Sequence, residues 1–359
     1  MSKDSKPKKK LRYGYTTGAC ATATSLAAAR LLFDNKQDIR TINITLPKGQ
    51  NVQFAIENCQ LTATGATAST QKDAGDDPDV THQAIIFSEV TLIPTADISF
   101  HAGEGVGTIT RKGLPLAVGE PAINPVPRQM IREHLQQLAQ QYHYQGGFSV
   151  TIGIKNGVEL AKKTLNARLG IIGGLSILGT TGIVRPFSCS AYIASIQRAI
   201  DVAKANQIQH IAACTGSNSE AMIQQYYGLE DIALIEMGDF VGAVLKYLKR
   251  QPIAKLSIVG GFGKISKLAA GHIDLHSKKS SIDFDFLANL SAGDNALKEK
   301  IRQCNTSIEA WQLCQQAGID LADRVCQYAL QTAKQYLPDH IDVEVWAINR
   351  NKQAIAHAK

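Results

Sequence analysis

The sequence predicts two domains, an α+β domain followed by a doubly wound α/β domain. Three observations carry that expectation. The chain has 359 residues, about two domains at ~150 residues each. Its first part alternates, as in "TINITL" and "NVQFAIE", with the period of half-buried strands. From Gln145 the grammar changes to apolar strand, glycine turn and helix, several times over. That is the signature of a parallel sheet covered by helices.

Taken in order, "YGYTTGACATATSLAAARLL" opens a helix capped by Thr16 or Thr17 and running to about Phe33. The two alternating runs flank the turn "PKGQ". "QKDAGDDPDVT" is an acidic loop. "HQAIIFSEVTLI" and "DISF" are further strands. "RKGLPLAVGEPAINPVP" carries four prolines in seventeen residues and reads as extended and irregular. A helix follows from Pro127 to Tyr142. The second domain starts with the strand "FSVTIGI" and the amphipathic helix "SAYIASIQRAIDVAKAN". "IQHIAACTGSNSE", "IALIEMGDF" and "KLSIVGGFGK" each lead from a strand into a helix. Two helices near Ser307–Ala317 and Leu321–Tyr336 come next, and "IDVEVWAI" reads as a closing strand. The expected partition is a disordered basic tail at 1–10, an α+β domain at 11–144, and an α/β domain with C-terminal helices at 145–359.

Composition narrows the function. Hydrophobic residues make up 44% and charged residues 19%, enough apolar material for real cores. Few aromatics against 29 glycines suit tight backbone turns. The net charge is +7, but five lysines against Asp4 put +4 of it in the first ten residues. The body at about +3 lacks the basic stripe of a nucleic-acid binder. The seven cysteines, Cys20, Cys59, Cys189, Cys214, Cys304, Cys314 and Cys326, include no C-x-x-C pair. Reduced thiols in a cytoplasmic protein fit that spacing better than zinc or disulfides. No secretory signal or apolar run of ~18 residues is present, so no membrane partner is expected.

Several stretches could carry chemistry. In "LSIVGGFGKISKLAAG" a strand enters Gly260, Gly261 and Gly263 and a helix begins. Such glycines let a ligand approach the backbone, or provide positive φ, and the helix start offers unpaired N–H groups. The match to the dinucleotide fingerprint is partial, and a simple tight turn is the alternative. In "AACTGSNSE", Thr215, Ser217 and Asn218 stand at the carboxyl end of a strand, where open α/β sheets bind ligands. In "GHIDLHSKKSSIDFDF", His272, Asp274 and His276 would share one face of a strand. They could supply an acid–base pair or a metal site, with a hydrogen-bonded polar cluster as the plainer alternative. Five glycines between Gly170 and Gly182 form a pocket wall or a tight crossing. "HAGEGVGTIT" has no long helix after it, so a bulge or hairpin is expected rather than a phosphate cradle. Asp73, Asp76, Asp77 and Asp79 lack calcium-loop spacing and read as turn caps or as a polar ligand edge. Arg128, near a helix start, opposes the helix dipole, which points to an anionic ligand or an acidic neighbour.

Together these segments resemble the CbiD family, the cobalt-precorrin-5B C1-methyltransferases of anaerobic cobalamin synthesis. The stretches that match are "RYGYTTGACATAT", "KDAGDDPDVT", "GEGVGTIT", "GEPAINPVPRQMI", "LNARLGIIGGLSILGTTGIVRP", "CTGSNSE", "GDFVG" and "GGFGKISKLAAGHIDLHSKKSSIDF". They run in family order from about residue 11 to residue 287. One departure is Arg111-Lys112, where the family pattern has a lysine–proline step. The resemblance implies an α+β domain followed by a Rossmann-like α/β domain. It implies S-adenosylmethionine as methyl donor, a corrin precursor as substrate, and cobalt only as part of that substrate, with no metal site of the protein's own. It leaves room for a homo-oligomer and for transient contact with neighbouring pathway enzymes.

Residue chemistry supplies the site expectations. A flat macrocycle with several carboxylates needs scattered cations, and Arg111, Lys112, Arg128, Arg168, Arg185, Lys264 and Lys278 could provide them. Thr16, Thr17 and Gly18 could present hydroxyls and amides to a substrate carboxylate; a small-residue helix packed on a sheet is the alternative. Glycine loops and an acidic side chain suit the donor. His276 or His272, with Asp274, could remove a proton from the macrocycle. Two other functions compete: an NAD-type oxidoreductase, for which Asp283 or Asp285 would be the ribose partner, and a non-catalytic corrinoid carrier.

Overall fold

The computed structural model describes residues 11–34 and 38–359. The expected tail at 1–10 lies outside the described residues. The chain divides into two compact units, Met1–Ser188 and Cys189–Lys359.

In the N-terminal unit a five-stranded sheet carries the core. Its strands are β1 (Asn58–Leu61), β2 (Ala66–Gln71), β3 (Ile85–Ile93), β4 (Ile98–Ala102) and β5 (Gly147–Ile154), in the order β1-β2-β3-β5-β4. β5 runs antiparallel to β3, with Val90 opposite Val150, and parallel to β4, with Phe100 opposite Val150. β5 thus belongs to the first unit, which corrects the boundary expected at 144/145. Its apolar residues look the same whichever sheet they join, so the local pattern does not choose the partner. The hairpin Thr41–Thr45 and Asn51–Ala55 alternates as expected. The short, polar β1 and β2 carry no strong alternation and escape the sequence reading.

Helix α1 (Thr17–Asp34) explains its own composition. Every residue from Thr17 to Ser25 is buried. One side packs on β2 and β3, the other on helix α2 (Pro125–Gln141). A Cβ at Gly18 would lie 2.6 Å from Pro127 Cγ. A helix enclosed on both sides needs small side chains to reach interior packing density. Its buried hydroxyls are paired, with Thr24 Oγ1 2.7 Å and Ser25 Oγ 3.0 Å from Ser88 Oγ. In α2, Pro125 stands at the helix start, where its missing N–H costs nothing. Met130, Ile131, Leu135 and Leu138 form its buried face.

The C-terminal unit opens with helix α3 (Cys189–Ala205). Its sheet comprises β6 (His210–Cys214), β7 (Leu234–Glu236), β8 (Lys255–Gly261), β9 (Asp342–Ile348) and β10 (Ala354–Ala358), in the order β7-β6-β8-β9-β10. The first four strands in that order are parallel. β10 pairs antiparallel with β9, so "IDVEVWAI" is the penultimate strand rather than the closing one. Consecutive residues of β6, β8 and β9 are buried, so both sheet faces are covered, as parallel sheets require. Helix α4 (Ser217–Tyr227) follows β6, α5 (Val241–Leu248) follows β7, and α6 (Phe262–Ala269) follows β8. Three short helices, Phe284–Ser291, Asn295–Arg302 and Ser307–Gln316, lead to α7 (Leu321–Lys334), which packs on α6, β9 and β10. Residues 272–276 form a loop, not a strand on which the three polar residues would share one face. Gly271, at φ +89°, ends α6 in a turn that an alternating polar pattern cannot reveal.

Candidate active site

Three parallel strands end at one cavity. β6 delivers Thr215–Ser219, β8 delivers Gly261–Gly263, and β9 delivers Asn349 and Arg350. The cavity encloses about 560 Å³, within the ~300–1,000 Å³ range of small-molecule sites. Topology dictates its position. β6 connects outward to β7, and the chain then crosses past β6 to β8 and on towards β9. Connections leave β6 and β8 in opposite directions, so a crevice opens between their carboxyl ends. That switch point is where open α/β sheets bind ligands. The sequence-predicted Thr215, Ser217 and Asn218 meet Gly261 and Gly263 there.

The three glycines of the turn play different parts. A Cβ at Gly260 would lie 2.9 Å from Thr215 Cγ2, so this glycine lets the two strand ends approach each other. Gly263 faces Ser307 Oγ, 2.9 Å from where its Cβ would stand. Gly261 meets nothing within 4 Å, and neither does Gly216 across the crevice. Gly261 has φ −60° and ψ 146°, so of the two alternatives, close backbone approach and positive φ, the second does not apply. Bare backbone, not an unusual dihedral, is what glycine provides here. Gly216 caps α4 and Gly261 caps α6, so no side chain closes either helix start. Thr215 Oγ1 lies 3.1 Å from Ser219 Oγ. Ser217 and Asn218 are exposed.

Among the described residues the lining carries three cations, Lys264, Lys267 and Arg350, and no carboxylate. The acidic side chain expected for a donor is thus not in this wall. Lys264 Nζ pairs with Asp239 Oδ1 and reaches the Leu275 carbonyl at 3.3 Å. Lys267, only 7% exposed, donates to the same carbonyl at 3.0 Å. Burial, and then the charge of Lys264, push the Lys267 ammonium below its usual range. Arg350 is exposed. Sequence reasoning missed Lys267 and Arg350. A lysine on an amphipathic helix looks solvated, and the glycine turn three residues before Lys264 is the only sequence signal beside it.

The His272–Asp274–His276 segment adjoins Ser277, which lines the cavity. His272 and His276 are exposed and Asp274 is half-buried. Asp274 Oδ1 accepts the His276 N–H at 3.2 Å, and His276 Nδ1 accepts the Lys278 N–H at 3.1 Å. In that geometry the neutral imidazole carries its proton on Nε2. His276 therefore offers an N–H in this arrangement, and accepting a proton requires the Lys278 bond to break. Among the described residues no group of three or more His, Cys, Asp or Glu comes together to hold a metal. Asp283 caps a helix through Phe286 N–H at 2.8 Å, and Asp285 pairs with Arg302 at 2.8 Å. Neither is placed as the ribose partner that an NAD-type oxidoreductase needs.

The remaining candidates lie in the N-terminal unit, where their polar groups are largely committed. Thr16 Oγ1 accepts the Ala19 N–H at 3.2 Å, capping α1. Thr17 Oγ1 accepts the Leu178 N–H at 2.9 Å, and the Gly18 N–H goes to the Leu178 carbonyl at 2.9 Å. Both threonines are buried, so the packing reading of this helix start replaces the display of hydroxyls to a ligand. Arg111 Nη1 donates to the Arg168 carbonyl at 3.0 Å. Arg128 holds the Ile123 and Pro121 carbonyls at 2.7 and 3.1 Å and meets Glu120 at 3.2 Å. The anionic neighbour expected for Arg128 is thus its own loop. Arg185 is exposed, 6.0 Å above the Tyr13 ring, and Lys278 is exposed. The acidic loop is internally spent. Asp73 pairs with Arg12, Asp76 accepts the Arg12 N–H, Asp77 accepts the Phe187 N–H, and Asp79 holds buried Lys72 at 2.7 Å. Gly105 and Gly107 admit close backbone contacts with Ile154, Gly157 and Ile172, so these two glycines serve close packing.

Comparison with known proteins agrees with the sequence reading. A family model described as CbiD matches residues 4–186, and one described as CbiD, C-terminal domain, matches residues 274–359. A protein of Burkholderia ambifaria named cobalt-precorrin-5B C(1)-methyltransferase is 59% identical over 352 residues, 97% of each chain. One of the same name from Pseudomonas fluorescens is 60% identical over 351 residues, 97% of this chain and 96% of that one. A crystal structure of a cobalamin biosynthesis protein (cbiD) from Archaeoglobus fulgidus is 28% identical, with a TM-score of 0.41, over 75% of this chain and 83% of that one. Among the described residues no helix is long and apolar enough to cross a membrane.

Proposed function

The chain belongs to the CbiD family, and from that premise we propose that it transfers a methyl group from S-adenosylmethionine to ring carbon C1 of cobalt-precorrin-5B. The products are cobalt-precorrin-6A and S-adenosylhomocysteine. The observation that carries this reading is near-60% identity across 97% of the chain to proteins named for that reaction. The sheet order and the switch-point cavity support reading the C-terminal unit as a Rossmann-like domain that takes the donor.

In this reading Gly216, Gly261 and Gly263 admit the donor against backbone. Thr215, Ser217 and Asn218 meet its polar groups at the uncapped starts of α4 and α6. The donor supplies an electrophilic methyl group on a sulfonium. Transfer is an in-line displacement, so positioning is the protein's main contribution. Of the predicted cations, Lys278 in the C-terminal unit and Arg185 in the N-terminal unit are exposed, and each could meet an acid side chain of the macrocycle. His276, beside the lining residue Ser277, gives or takes a proton at the macrocycle edge, with Asp274 holding its backbone and His272 nearby in the loop. The cobalt arrives within the substrate. The protein works as a cytoplasmic enzyme on a small-molecule partner.

Single-turnover incubation with cobalt-precorrin-5B and labelled donor tests the proposal. Label should appear in cobalt-precorrin-6A. Stoichiometric corrin binding with no transfer of label would make the protein a carrier instead.

A further inference from the structure

We propose that Lys267, with the uncapped first turn of α6, forms a carboxylate-binding subsite of the cavity. The inference rests on the reading of this cavity as the place where the reaction's small molecules bind. An ammonium carries three donors, and Lys267 has one partner, the Leu275 carbonyl at 3.0 Å. It is 7% exposed and lines the cavity. Among the described residues no carboxylate lies within ion-pair distance of it. Asp239 and Asp274 favour its charge only from beyond ion-pair distance, and a buried cation with no direct ion-pair partner is unfavourable, so an anion from outside completes the site.

The surroundings specify the sign and the chemistry. Of the lining cations, Lys264 is paired with Asp239 and Arg350 is exposed to solvent, which leaves Lys267 as the buried one with no ion pair among the described residues. The lining holds no carboxylate to compete for it. The open Cβ position of Gly261 and the absence of a side-chain cap leave the amides at the start of α6 accessible from the same cavity. Helix amides and an ammonium together recognise a carboxylate. Two sources are at hand, the amino-acid end of the donor and an acid side chain of the macrocycle. The donor's sulfonium is itself cationic, so if the donor is the source, its carboxylate end is the part that faces Lys267.

The test uses the full chain carrying Lys267→Met, with Lys267→Gln as a second variant that keeps a polar group. Circular dichroism and Tm establish folding. Calorimetry then measures S-adenosylhomocysteine and 5′-methylthioadenosine, which lacks the amino-acid carboxylate, and absorbance titration measures cobalt-precorrin-5B. If the donor supplies the carboxylate, affinity for S-adenosylhomocysteine falls at least ~tenfold while that for 5′-methylthioadenosine is unchanged. If the macrocycle supplies it, only the corrin affinity falls by that factor. Folded variants with wild-type affinity for all three ligands overturn the proposal, as does an equal loss for both nucleosides. Failure of the cavity reading itself is separable: Gly261→Ala would then bind S-adenosylhomocysteine at wild-type strength.

Discussion

Gly216 and Gly261 line the same cavity from the ends of adjacent parallel strands, and among the described residues a Cβ on either would meet no atom within 4 Å beyond its chain neighbours. The wall there is backbone. Two helices start from it without a side-chain cap, and the space a side chain would fill stays open.

Gly261→Ala should therefore fold normally. Its φ of −60° is one that alanine accepts, and the added methyl has room. We expect an unchanged Tm and at least a ~tenfold loss of S-adenosylhomocysteine affinity, equivalent to ~1.4 kcal/mol, by calorimetry. Wild-type binding in a folded variant would move the donor elsewhere.

Thr16→Ala should behave in the opposite way. Its hydroxyl caps α1 through the Ala19 N–H, and losing such a cap costs ~1 kcal/mol. Denaturant unfolding should show that loss, while corrin affinity stays at the wild-type value. Weaker corrin binding with unchanged stability would restore this helix start to the substrate site.

His276→Ala should leave S-adenosylhomocysteine binding intact and slow methyl transfer by ~10²-fold, the lower end of acid–base contributions. Rapid-quench single turnovers read the transfer step directly. An unaltered rate would relieve His276 of any part in it.

At the amino ends of the same strands lies a buried polar group. Glu344, 1% exposed, accepts hydrogen bonds from Ser257 and from Tyr227 at 2.9 Å, with Lys255 3.2 Å away. Because Ser257 gives its proton to Glu344, His210 Nε2, 2.6 Å from the serine oxygen, is the donor there. Burial would raise the Glu344 carboxyl, but these bonds and the Lys255 charge outweigh it and bring it to about 2. A carboxyl depressed on folding contributes stability above its unfolded value, near 4.5, and that contribution is lost as pH falls through about 2. Unfolding free energy should drop by as much as ~3 kcal/mol over that window. Glu344→Gln should flatten this part of the curve, and an unchanged acid limb would assign the loss to other carboxylates.

The fold was legible where chemistry is local. Strand, glycine turn and helix recur in the C-terminal unit, and each recurrence stands where expected, because turn residues and periodicity act over a few positions. The placement of β5 was not legible, since its neighbours β3 and β4 precede it by some fifty residues and nothing in "FSVTIGI" names them. The histidine segment left its conformation open, because alternating polar residues suit a strand or a loop, and it is a left-handed Gly271 that ends the helix before them. At the site, the two loops could be read separately but not their convergence, which strand order creates. Lys267 stayed hidden because burial belongs to tertiary packing and not to the residue.

The C-terminal sheet separates two kinds of inherited damage. Its amino end holds the Glu344 hydrogen bonds, its carboxyl end holds the glycine wall, and apolar residues such as Ala213, Ile258 and Val345 lie between them, fully buried. Alleles altering His210, Ser257 or Glu344 should lower cellular abundance through the folded fraction, and growth at reduced temperature should rescue them. Alleles altering Gly216 or Gly261 should leave protein levels normal and resist cooling. A cobalamin-dependent growth screen at two temperatures would sort the two classes, each to its own end of the sheet.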